Sequence, residues 1–309
     1  MIRVDRLFNP SQAGVILVIV LWVLVLLSLI ATSLAVGGRS FSRQALNAEE
    51  GVRAAMAADA GLGWALWHIQ LPGGGGWLAD GDVRELVLGG VQIKTALFDE
   101  SGKVDLNSAP TELLDALLAS LMNDSRQRAA LVAAIEDWRD PDDLVRLNGA
   151  EVDDYLAAGR VEGPANRPFQ TLVELRQVLG MEEPVFQGLS PSLTLVTRSR
   201  TINPQVAPFD VLMALPNAST GVVEAYIEQR REAWADGLPV PELPFDAAPY
   251  VGNGRTGVHY LVYTEARLGT RSRALKAIRL QRRGARLELE SEVVLPPPGR
   301  VFSEQEAGL

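Results

Sequence analysis

The residues most able to do chemistry lie in one stretch, EDWRDPDDLVRLNGAEVDDY (residues 136–155). It carries Glu136, Asp137, Asp140, Asp142, Asp143, Glu151, Asp153 and Asp154. Carboxylates this dense repel one another unless a cation or solvent screens them. Calcium takes roughly six to eight oxygens at about 2.3–2.6 Å from a flexible loop, and Asp140-Pro-Asp142 and Asn148-Gly149 supply oxygens and tight turns. The spacing is not that of an EF-hand. Two readings stay open on these residues alone: a bound cation, or a solvated acidic loop.

Other chemistries are poorly served. There is no cysteine, so disulfides, thiolate metal sites and cysteine nucleophiles are excluded. His68 and His259 are the only histidines. His68 sits beside Trp64 and Trp67, and His259 lies in an alternating strand pattern, so both read as structural. No P-loop, Gly-x-Ser-x-Gly or paired-histidine motif is present. The chain reads as a non-enzyme. The net charge of −9 argues against non-specific nucleic-acid binding, which needs basic surface.

The elements around the acidic stretch follow from periodicity. Gly14 to Val36 is an uncharged apolar run of 23 residues. At about 1.5 Å per residue this spans the ~30 Å hydrocarbon core and predicts a membrane anchor. The pattern continues helically to Ile69, with Leu46, Val52, Met56, Gly63, Leu66 and Ile69 as its expected buried stripe, and stops at Pro72 and Gly73–Gly76. Gly89-Gly90 predicts a hairpin turn, and Val91, Ile93, Thr95 and Leu97 a half-buried strand. From Val104 to Ala248 the period is helical, with helices over 111–121, 126–138, 172–179, 208–215 and 221–234. Alternation returns at 258–266, 274–280 and 287–294. A helical domain inserted between the strands of one sheet, packed on the long helix, satisfies this order.

Within the helical block a phrase recurs. VDLNSAPTELLDAL returns as INPQVAPFDVLMAL, aligning Asp105 with Asn203 and Pro110 with Pro208. The two prolines are expected to open helices from the first turn, with Ser108 among the capping residues. Such units resemble helix-hairpin-helix modules but lack the glycine-rich hairpin that grips phosphate. A packing role is favoured over DNA binding. A membrane-anchored periplasmic binding module, or a helix-hairpin-helix nucleic-acid binder of a DNA-uptake machine, remain the alternatives.

Taken together, Gly14 with its apolar run, FDESGKVDLNSAPTELLDAL, DWRDPDD…NGAEVDDY, FQTLVELRQVLGM and INPQVAPFDVLMAL resemble the K-type minor pseudopilin family of the type II secretion system. The resemblance implies an α+β, type IV pilin-like fold: a long N-terminal helix and an antiparallel sheet, with a large inserted all-α domain holding two helix-hairpin-helix-like units. It sets a leader at 1–14, a membrane and stem helix at 15–72, a β domain from 73–99 and 250–295, the insertion at 100–249 and a tail at 296–309. It implies cleavage by the prepilin peptidase after Gly14 and methylation of Val15. It implies an inner-membrane anchor with the globular part in the periplasm, and a place at the pseudopilus tip with the I- and J-type minor pseudopilins above the major pseudopilin. It also implies calcium in the insertion, with Asp137, Asp140, Asp142, Glu151 and Asp154 as ligands. Gln12 and Ala13 stand where such leaders carry a basic residue. Ile19 stands at the fifth position after the cleavage point, where most pilin-like chains have glutamate. That carboxylate neutralises the terminal amine of a neighbouring subunit, so a subunit with nothing stacked above it has no use for one.

Overall fold

The computed structural model describes residues 10–71, 73–161, 163–254, 256–270 and 272–292. The leader before Pro10, the stop at Pro72 and the 296–309 tail lie outside the described residues. The chain divides into two compact units, Met1–Arg53 and Ala54–Leu309. In the first, helix α1 (Pro10–Gln70) begins ahead of Gly14. Its stretch Val15–Leu34 is long and apolar enough to cross a membrane. Helix suits lipid because each backbone polar group is satisfied within the segment.

The second unit is built on one antiparallel sheet. Strands β1 (Asp80–Leu88) and β2 (Val91–Asp99) form a hairpin. Gly89 and Gly90 both take positive φ, 57° and 82°, which a two-residue turn matched to strand twist requires. The chain then leaves for the helical insertion. It holds β3 (Val104–Asp105), α2 (Thr111–Ala119), α3 (Ser125–Arg139), α4 (Val152–Ala157), α5 (Glu183–Leu189), β4 (Leu193–Thr194), α6 (Phe209–Met213) and α7 (Thr220–Ala235). It returns as β5 (His259–Leu268), β6 (Ser272–Arg283) and β7 (Arg286–Glu292). The strand order is β1-β2-β5-β6-β7. Asp99 at the exit is paired with Tyr260 at the re-entry, so the insertion hangs from two adjacent strand ends and interrupts no ladder.

The face that α1 buries is not the expected one. Leu46, Val52 and Met56 are 58%, 54% and 67% exposed. The buried positions from residue 54 onward are Ala54, Ala57, Ala58, Gly61, Leu62, Ala65 and Ile69, again at helical spacing but mostly small. Of the expected stripe Ile69 is buried, at 9% exposure, and Leu66 half-buried. The reason is distance: a Cβ on Gly61 would lie 2.5 Å from Thr264 Cγ2 and 2.8 Å from Ile93 Cγ2. Small side chains let the helix backbone approach the pleat, where Ala57 and Ala58 meet Val91, Ile93 and Ala266, and Leu62, Ala65 and Ile69 meet Leu97, Val262 and Leu280. Hydrophobic size was the wrong signal.

Strand β2 is also buried more completely than simple alternation implies. Ala96 and Phe98, on the reverse face, pack with Leu261, Tyr263 and Ala277. The insertion covers part of that face, through two buried charge pairs. Asp80 Oδ2 accepts from Arg230 Nη2 at 2.9 Å and from Arg231 Nε at 2.8 Å, joining β1 to α7. Arg230 also donates to the carbonyls of Pro204 and Ala207. Burial alone would raise the Asp80 pKa; the two guanidiniums outweigh it and hold the carboxyl below its ordinary value. Beyond β2, Glu100 takes Lys103 Nζ at 2.9 Å, both nearly inaccessible, and also accepts the Thr194 hydroxyl of β4.

The recurrent phrase is a recurrent turn. Asp105 Oδ1 accepts the N–H of Asn107, and Asn203 Oδ1 that of Gln205, each two residues on. Pro110 and Pro208 both have φ of −63° but occupy the position before the first helical residue, not the first turn, and neither helix has a side-chain cap. The capping expected from Ser108 is absent; Asp105 and Asn203 organise the turn instead. The stretch expected as a helix over 172–179 is a 3-10 helix at Leu172–Gln177. Helices α4 and α5 and the parallel pairing of β3 with β4 were not foreseen; they are too short to show a period.

The α1–sheet contact yields a paired test. Gly61→Val should destabilise the fold by about 1–3 kcal/mol through overpacking. Gly63→Ala, whose added Cβ meets nothing within 4 Å, should stabilise it by roughly 0.5–1 kcal/mol through helix propensity. Chemical denaturation of the two variants measures both.

Candidate functional site

The acidic stretch begins at the end of α3 and closes at the start of α4. Trp138, on α3, stacks on Phe169 at 5.8 Å and 15°, which seats that end of the helix in the core of the insertion. Asp137 beside it is fully buried. Its Oδ2 accepts the N–H of Ala150 at 2.9 Å, and its Oδ1 accepts Arg146 Nη1 at 2.9 Å. The loop can close this tightly because residue 149 is glycine: a Cβ there would lie 1.9 Å from Asp137 Oδ2. Asn148, with φ of 65°, makes the turn.

Arg146 is the cation at the centre. It reaches Asp137, Asp140 and Glu136 together, and the hydrogen bonds it donates to Asp140 and Asp137 raise its pKa above the ordinary arginine value. Glu151 is different. It is 5% exposed, and both its carboxylate oxygens are buried without a hydrogen-bond partner among the described residues. Burial first, then the charges of Asp137, Asp140, Asp143 and Asp142, push its pKa to about 7. Asp140 Oδ1 is likewise buried and unpartnered. Asp142 and Asp154 are exposed; Asp142 Oδ1 accepts the N–H of Leu144, and Asp154 Oδ2 the N–H of Glu151.

Of the five residues expected as ligands, the structure therefore brings Asp137 and Asp140 onto one guanidinium, with Glu151 within their field. Asp142 and Asp154 serve the backbone. Among the described residues no three carboxylate or imidazole side chains are gathered as a chelating group. Arg146, which the sequence reading passed over, is the residue that organises the site. Its signal was present as the single basic side chain within the acidic run after Arg139.

The other sequence-derived positions lie elsewhere. Val15 and Ile19 are exposed on α1, at 61% and 56%. His68 stacks on Trp77 at 4.5 Å and 17°, with Trp64 and Trp67 against its edge. Burial lowers its pKa. His259, on β5, lies 3.5 Å from Glu290 on β7, two strands away.

A long N-terminal helix, an antiparallel sheet and a helical insertion between its strands define a pilin-like α+β protein. The same fold occurs in the solved GspK-GspI-GspJ complex of the enterotoxigenic Escherichia coli type II secretion system, with a TM-score of 0.58 and 20% identity over 82% of this chain and 98% of that one. Residues 84–198 match the family of type II secretion system protein K. Protein K of Klebsiella pneumoniae is 34% identical over 133 residues, covering 41% of this chain and 39% of that one. Protein K of Pectobacterium carotovorum subsp. carotovorum is 29% identical over 133 residues, covering 41% and 40%. The alignments thus span about two fifths of the length of these relatives. The resemblance drawn from the motifs and the expected fold class are both borne out.

Removing the central cation should be costly. Arg146→Ala leaves the buried Asp137 carboxylate with only backbone donors, the N–H groups of Ala150 and of position 146 itself, and at low divalent-ion concentration should destabilise the fold by about 1–3 kcal/mol. Arg146→Lys, which keeps the charge, should recover part of that loss in the same denaturation experiment.

Proposed function

We propose that this chain is a structural protein, not an enzyme: a minor pseudopilin at the tip of the type II secretion pseudopilus. There it would start assembly with the I- and J-type minor pseudopilins above the major pseudopilin, and support export of folded proteins across the outer membrane. The observation that carries this reading is the pairing of a protein K sequence match in the sheet and insertion with the pilin-like fold around it. The apolar Val15–Leu34 helix supports a single-pass anchor in the inner membrane, with the globular unit in the periplasm. Ile19 supports the tip position. A glutamate there, with no amine from a subunit above, would be an uncompensated charge in an apolar setting, costing about 2.5–3.5 kcal/mol.

The test is the mature N-terminus and the company it keeps. Mass spectrometry should find a chain beginning at N-methylated Val15, the product of the prepilin peptidase acting after Gly14. The protein should then co-purify with I- and J-type partners. An intact Met1 and no co-purification would leave only a membrane-anchored periplasmic protein.

We further propose that the acidic site binds calcium. The unpartnered oxygens of Glu151 and Asp140 are what a hard cation would satisfy. Asp137 and Asp140 would complete the protein's share once Arg146 withdraws. Asp142 and Asp154 would join if their backbone hydrogen bonds exchange for the ion. When bound, the ion would replace carboxylate repulsion with attraction and brace the loop between α3 and α4. Saturating calcium should raise the melting temperature by several degrees, and Asp140→Ala or Glu151→Gln should remove most of the rise. Indifference to calcium and to chelator would refute the assignment.

A further inference from the structure

We propose that the cleft between the 107–110 turn, the start of α2 and the 198–200 segment is an anion site that takes a carboxylate or phosphate group. The cleft is open to solvent and holds about 500 Å³, in the range of small-ligand pockets. Arg139, Arg198 and Arg200 line it, facing Thr111, Glu112 and Glu136. Three guanidiniums in one cleft run against the background of a chain whose net charge is −9.

The three differ in what already holds them. Arg139 is committed to the scaffold: it donates to the carbonyl of Leu106, to that of Ala109 at 2.9 Å, and lies 3.6 Å from Glu136. Burial lowers its pKa, and the charges of Arg146 and Arg200 add to that lowering while Glu136 and Asp105 oppose it. Glu136 is committed too, accepting the Thr111 hydroxyl at 2.5 Å and lying 3.4 Å from Arg146. Arg198 and Arg200 have exposed side chains that engage no carboxylate among the described residues.

Arg198 is also held in place by its backbone. Its φ is 50°, a left-handed conformation that costs a non-glycine residue about 1–3 kcal/mol. The surroundings enforce it: the Arg198 N–H donates to Asp105 Oδ2 at 2.8 Å, and the Thr197 hydroxyl shares that oxygen at 3.1 Å. Asp105 is the same residue that builds the turn leading into α2. One buried carboxylate thus fixes both walls of the cleft. A guanidinium fork pairs two N–H groups with two oxygens of a carboxylate or phosphate, which sets the ligand class. The amides of the first turn of α2, lacking a side-chain cap, are further donors at the same mouth but do not carry the assignment.

The experiment uses the full chain in a non-ionic detergent at low salt, titrated calorimetrically with inorganic phosphate in one arm and succinate in the other. Saturable binding is expected in at least one arm. Binding only to phosphate assigns a phosphate ligand, and binding only to succinate a carboxylate. Arg198→Ala/Arg200→Ala should weaken it at least tenfold, and Arg200→Ala alone severalfold, without lowering the ligand-free melting temperature. Arg126→Ala, on the exposed start of α3, should leave it unchanged. No saturable binding in either arm, or undiminished binding by both Arg200 variants, would overturn the site.

Discussion

Asp80 and Arg230 form the contact on which the second unit depends. The insertion leaves and rejoins the sheet through two adjacent strand ends, and such a tether alone would let it swing. The Asp80–Arg230 pair, inaccessible to solvent, ties β1 to α7 at a point remote in sequence from both tethers. A buried charge without its partner is strongly unfavourable, while a hydrophobic pair of the same shape would serve stability as well. The pair therefore sets orientation more than it adds stability: only one placement of α7 puts a guanidinium on Asp80 and on the carbonyls of Pro204 and Ala207 at once. Glu100 and Lys103 do the same for the first turns of the insertion.

The two copies of the helical unit share chemistry at the turn, but they have diverged in use. In the first, Asp105 serves the turn with one oxygen and the 197–198 segment with the other. In the second, Asn203 serves its turn with the carbonyl oxygen and donates to the Thr256 hydroxyl with the amide. The carboxylate suits a place where two N–H groups and a hydroxyl converge; the amide suits one where a donor is needed toward the returning chain. The first copy accordingly faces the rest of the insertion, and the second locks the insertion to the approach to β5.

Much of the architecture was legible because it is periodic. The apolar run, the glycine pair of the hairpin, the later strands and the longer helices α3 and α7 each announce themselves over several repeats. The acidic loop was legible as composition but not as geometry. Which carboxylates are buried, and that Arg146 lies among them, depends on how the chain turns at Asn148 and Gly149. The α1 face failed for a related reason. Large apolar side chains at helical spacing predict a core of Leu46, Val52 and Met56, whereas the sheet selects Gly61 and the alanines, with Leu62 and Ile69 beside them.

By itself the sequence determined what local chemistry determines: a lipid-length helix, where strands alternate, where glycine and proline break the chain, and that two segments repeat. Tertiary structure alone decided the rest. It chose which face of α1 meets the sheet, because close approach rewards small residues and penalises bulk. It chose which acids are charged partners and which are stranded, because desolvation depends on what lies overhead. And it brought Arg139, Arg198 and Arg200 to one cleft, because buried Asp105 holds the Arg198 backbone against the turn before α2, and Arg139 reaches the carbonyls of that same turn with its side chain.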